Sequence, residues 1–139
     1  MGNVYADIEL INAEDIGLAH RRIIGEEEIR RITVNALVDS GSYMLAINEN
    51  IQEILQLPVV ETRNAVLANG QRISCNVVSP LEIRFQNRRS VCSAMVLPDD
   101  NEPLLGVIPM EDMDVIIHPL RNELLVNPES PDFATMKMK

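Results

Sequence analysis

The sequence has no tryptophan, and its aromatic residues are two Tyr and two Phe. Proteins that hold bases or sugar rings by stacking need an aromatic platform, so neither chemistry is expected. Long basic runs are missing too. Arginine clusters only as the pairs Arg21–Arg22, Arg30–Arg31 and Arg88–Arg89, which read as solvated strand or loop faces, and the formal net charge is −9. Polyphosphate would be repelled by such a surface, which argues against a nucleic-acid partner. Histidine is limited to His20 and His118, and cysteine to Cys75 and Cys92, with no close ligand spacing. That pattern excludes a zinc site of the usual kind, and neither metal nor cofactor is expected. The two thiols read as reduced side chains of a cytoplasmic protein. No apolar run approaches the roughly eighteen residues that cross a bilayer. The opening MGNVYADIELIN lacks the basic and apolar regions of a signal peptide, and Ala6 leaves the myristoylation pattern incomplete. No membrane partner is expected.

What is present is a chain of 139 residues that is 46% hydrophobic. That is enough for one domain with a core, expected over residues 1–128. Val4 to Leu10 reads as a strand. Asn12, followed by Glu14 and Asp15, reads as the cap of a short helix over about 13–23, stopped by Gly25. Ile29 to Val38 follows period two and reads as a strand. YMLAIN is a second short strand, and Asn48 can cap a helix that ends at Pro58. NAVLA then meets Asn69-Gly70, a two-residue hairpin signal. QRISCNVVS ends at Pro80, and LEIRF and RSVCSAMVL follow as a hairpin about Gln86-Asn87-Arg88. A short helix is expected near Pro109–Met113, then two strands about Asn122. Residues 129–139 carry no periodicity and read as a mobile tail. Many short strands with frequent turns indicate a mainly β, barrel-like domain with one or two short helices.

One residue breaks this pattern. In NALVDSGSYMLAI, Asp39 stands between two apolar segments. Asp-Ser-Gly is good turn chemistry, and a turn aspartate bonding its own backbone is the simplest account. A metal ligand would need partners that the spacing does not offer. A catalytic carboxylate, held by a strand and a turn at the floor of a cleft, is the third account. A serine hydrolase is disfavoured because Gly-x-Ser-x-Gly is absent.

The segment NALVDSGSYMLAI resembles the active-site segment of the retropepsin-like aspartic proteases. Downstream, PLLGVIPMEDMDVIIHP resembles the apolar pair, glycine, helix and strand that pack behind the catalytic loop in that family. VLANGQRIS lies where the family has its flap. The resemblance covers about residues 4–127 and is nearest to the small single-domain bacterial and archaeal members. It implies a closed β-barrel of the acid protease fold and an aspartic endopeptidase acting on peptide or protein substrates. Asp39 would be the catalytic carboxylate. Ser40, Gly41 and Ser42 would support the loop, with Ser42 bonding the outer oxygen of Asp39. Ala68, Asn69, Gly70 and Gln71 would form the flap. Leu104, Leu105 and Gly106 would brace the loop. The chemistry requires two carboxylates sharing a proton, and the sequence holds one Asp-Ser-Gly. A homodimer pairing Asp39 with its copy is therefore implied, with Val4–Leu10 and Glu123–Val126 as candidate interface strands. The rival expectation is a catalytically silent module of the same shape that binds peptides or scaffolds a partner. Two features depart from the viral pattern: Val107 follows the bracing glycine, and residues 13–28 form an insertion.

Overall fold

The structure, a computed structural model, describes residues 2–139. Strands β1 (Val4–Asn12), β2 (Arg31–Val38), β3 (Leu45–Asn48), β4 (Val59–Val66), β5 (Arg72–Phe85), β6 (Arg88–Leu97) and β7 (Leu104–Leu105) form one seven-stranded sheet. Their order is β1-β2-β7-β3-β6-β5-β4, and β1 pairs with β5 as well. Strands β8 (Val115–His118) and β9 (Glu123–Val126) form a separate antiparallel pair. Helices α1 (Ala13–His20), α2 (Glu49–Leu55) and α3 (Val107–Met113) and a 3₁₀ turn at Glu26–Glu28 complete the described residues. The domain is mainly β, with three short helices where one or two were expected. None of them is long and apolar enough to cross a membrane.

The core follows from strand periodicity. Along β1, Val4, Ala6, Ile8 and Leu10 are buried, and Tyr5 and Asp7 between them are exposed. The alternation places one face against Ala36 and Val38 of β2 and Leu81 and Ile83 of β5 in a single hydrophobic cluster. Asn12 ends β1 fully buried, yet its polar atoms are matched. Its Oδ1 accepts from the Asp15 N–H at 3.1 Å, and its Nδ2 donates to the Leu55 carbonyl at 2.8 Å. The expected cap is thus also a tie between α1 and α2. Asn48 caps α2 as expected, accepting from the Ile51 N–H at 2.8 Å.

Several boundaries differ from the sequence reading, each for a local reason. Helix α1 ends at His20, because Arg22 turns left-handed at φ 62°, well before Gly25. Gln56, left-handed at φ 50°, ends α2 before Pro58 is reached. Pro80 does not end a strand. It lies within β5, at the register shift between Val78 and Leu81 against β6. A bulge tolerates a residue without an N–H. There β5 changes partner, pairing with β4 up to Val78 and with β1 from Leu81. The Asn69-Gly70 hairpin has a three-residue loop rather than two: the Leu67 N–H donates to the Gln71 carbonyl at 2.8 Å. A two-residue type I′ turn needs both central residues at positive φ, but only Gly70, at φ 83°, is left-handed.

The arginine pairs also differ. Arg88 is buried rather than solvated: its Nη2 donates to the Ser130 carbonyl and lies 3.7 Å from an Asp114 carboxylate oxygen. The chain beyond β9 returns over this region. Asn87 Nδ2 donates to the Pro131 carbonyl at 2.9 Å, and the Thr135 N–H donates to Asp114 Oδ2 at 2.9 Å.

Candidate active site

Asp39 follows directly on β2, and β3 begins six residues later at Leu45. These two strands flank the loop without pairing with each other. The two-residue strand β7 lies between them, parallel to β2 through Leu37–Leu104 and Val38–Leu105, and antiparallel to β3 through Ala46–Leu104. The Leu37 N–H donates to the Pro103 carbonyl at 2.9 Å, and the Asp39 N–H to the Leu105 carbonyl at 3.0 Å. The backbone on either side of the acid is therefore held by an inner strand, and Leu105 is fully buried.

Gly106 and α3 lock the other side of the loop. The Val107 N–H donates to the Ser42 carbonyl at 2.8 Å, and the Ile108 N–H to the Tyr43 carbonyl at 3.0 Å. The first turn of a helix has N–H groups without helical partners, and here loop carbonyls accept two of them. This contact requires a bare backbone. A Cβ on Gly106 would collide with the Met44 carbonyl oxygen and lie 2.7 Å from that of Ser42.

The carboxylate is half-buried and both oxygens are engaged from within the loop. Asp39 Oδ1 accepts from the Gly41 N–H at 2.9 Å, and Oδ2 accepts from the Ser42 hydroxyl at 3.0 Å. The Ser42 N–H closes the turn onto the Asp39 carbonyl at 3.0 Å. Ser40 and Gly41 are exposed at the tip of the loop. Two donors thus fix the orientation of a solvent-reachable carboxylate, which can exchange a proton or hold a water.

A hollow of about 390 Å³ opens beside the loop, with Gly41 and Ser42 at one side and Ala65, Val66 and Leu67 of the β4 arm at another. Its apolar lining includes Met44, Met95, Leu97 and Leu104. Ala68, Asn69, Gly70 and Gln71 stand at the exposed tip of the β4–β5 hairpin and do not line this hollow. The hairpin wall contributes instead through β4, of which the sequence reading caught only the NAVLA end and not Val59–Arg63. Nearly all of β4 is exposed, so it lacks the buried alternation that reveals a strand. Among the described residues, no group of three or more His, Cys, Asp or Glu side chains could hold a metal ion. Cys92 is half-buried below the loop, and burial pushes its thiol up to about 12. It is not a nucleophile at neutral pH.

The aspartyl protease family model matches residues 25–111, a span that runs from before β2 into α3 and contains the whole loop. The chain belongs to the aspartyl protease family. No curated protein shows a significant sequence match to it. Among solved structures it is similar to the retroviral protease-like domain of Ddi1 from Leishmania major. The TM-score is 0.58 at 15% identity, over 92% of this chain and 90% of that one. The fold of this aspartyl protease family member is retropepsin-like.

Proposed function

We propose that the protein is a homodimeric aspartic endopeptidase of the cytoplasm. Asp39 and its copy across a twofold axis share one proton. The ionised member takes a proton from a water that attacks the scissile carbonyl, and the protonated member donates to the carbonyl oxygen. Ser40, exposed at the loop tip, bonds across the axis, and the β4–β5 hairpin closes over substrate. The observation that carries this reading is the pair of donors on Asp39, Gly41 N–H and Ser42 hydroxyl, on a loop braced by Leu104–Gly106. A turn aspartate would need only the first of these. The test is cleavage of casein or a peptide library between about pH 4 and 7. Asp39→Asn lowers the rate at least about a hundredfold. Activity that survives this change overturns the reading.

The second reading, a silent module that binds extended peptides, is favoured by a single fact: each chain carries one Asp-Ser-Gly. Peptide binding by wild-type protein that cleaves none of the bound peptides would establish it.

A further inference from the structure

Two hollows meet beside the catalytic loop, and they differ in chemistry. The first, of about 390 Å³, is mostly apolar. The second, of about 310 Å³, runs along the other side of Tyr43 and includes Glu61, Cys92 and Ser93. Arg63 on β4 lines both, and among the described residues it is the only Lys or Arg in either lining. Its side chain is 50% exposed, and Nε donates to Glu61 Oε1 at 3.0 Å. Residues two apart on a strand share a face, so this ion pair is built into β4 itself.

The consequence is a cation held at the junction of the two hollows. A guanidinium has five N–H donors in a planar fork. Glu61 engages Nε, and the terminal nitrogens retain the geometry that suits a carboxylate. The first hollow has Arg63 and no acidic residue in its lining, whereas Glu61 offsets the charge in the second. A lysine or arginine of a peptide beside the first hollow would therefore face an unbalanced like charge, which disfavours it. At longer range the net charge of −9 repels acidic ligands, so selection of an acid here depends on this local contact.

We infer that Arg63 is a specificity-determining residue, selecting peptides that carry Asp or Glu next to the large apolar side chain that fills the first hollow. The inference rests on the peptide-cleft reading given above. It is tested with peptides that have a central Met or Phe and in which Glu, Gln or Lys is scanned through each flanking position. Cleavage by wild type and binding to Asp39→Asn are both measured. At one position the wild type prefers Glu over Lys by about tenfold in kcat/KM. Arg63→Gln flattens this ratio, and Arg63→Glu inverts it. A ratio that Arg63→Glu leaves intact at every position overturns the inference while the protease reading stands. Inversion seen in binding, with no peptide cleaved by wild type, overturns the protease reading and supports the inference. Protein that neither binds nor cleaves any of them overturns both.

Discussion

Asp15 shows how one residue can fasten an inserted segment. Its buried carboxylate accepts from Arg30 Nε and Nη2, each at 2.8 Å, and from the Arg30 backbone N–H at 3.0 Å. Hydrogen bonding from the Arg30 side chain holds this carboxyl below the usual carboxylate range, against the opposing effect of burial. Glu82 is a second case: burial would raise it, but hydrogen bonds from Arg89 and Arg84 together bring it below the usual range. The sign of the pH effect follows. A depressed carboxyl contributes its full stability above the unfolded value, near about pH 4, and loses it as pH falls through the folded value. Asp15→Asn lowers stability by about 2 kcal/mol at neutral pH, below the full cost of a broken buried pair because Arg30 stays in contact with solvent. In thermal melts the gap between wild type and this variant narrows as pH falls below about 4. A constant gap would show that the ion pair is not its source. The Asp15–Arg30 pair is invisible in the sequence, since its members are fifteen positions apart on different elements. Arg88 is invisible for another reason. On β6, Arg88 and Ser90 are buried while Arg89 and Val91 are exposed. The polarity that normally marks the outer face is inverted, because a later segment covers Arg88.

At the scale of elements, the loop and α3 depend on each other. The helix uses loop carbonyls to satisfy its first N–H groups, and the loop is held in place by those bonds. Gly106→Ala forces a Cβ onto two backbone carbonyls that cannot move without shifting the loop. Overpacking of this kind costs about 1–3 kcal/mol, and here the shift falls on Ser42, which bonds Asp39. Urea unfolding shows the lost stability, and the rate drops further than the folded fraction explains. Gly70→Ala behaves differently. At φ 83° an added Cβ is strained by about 1 kcal/mol, yet it meets no atom within 4 Å. It lowers stability slightly and leaves the loop intact. These contrasts mark what was legible in advance. The caps Asn12 and Asn48 and the β1 and β2 alternation were readable because each is set by local chemistry, whereas the apolar pair before Gly106 came only from the family resemblance. The partner change of β5 at Pro80 and the first part of the exposed strand β4, Val59–Arg63, were not readable. A proline normally signals an end, and an exposed strand has no buried face to report itself.

For the whole molecule, the decisive quantity is the number of aspartates needed per active centre. A site complete within one chain works in any mixture in proportion to the wild-type subunits present. A dyad formed across a twofold axis behaves otherwise. In a mixed dimer of wild type and Asp39→Asn, one carboxylate faces an amide, so no proton can be shared between two acids. Wild type and Asp39→Asn can be mixed in equal amounts, dissociated and allowed to exchange. Random pairing then leaves about one quarter of the dimers with both acids. Activity therefore settles near a quarter of that of the same total amount of wild type, and follows the square of the wild-type fraction across a titration. A linear response near one half would place a complete site in each chain and remove the need for a twofold axis. The same mixture reports on assembly. If exchange is slow, activity begins near one half and decays towards one quarter, and the rate of that decay is the rate at which the dimer comes apart.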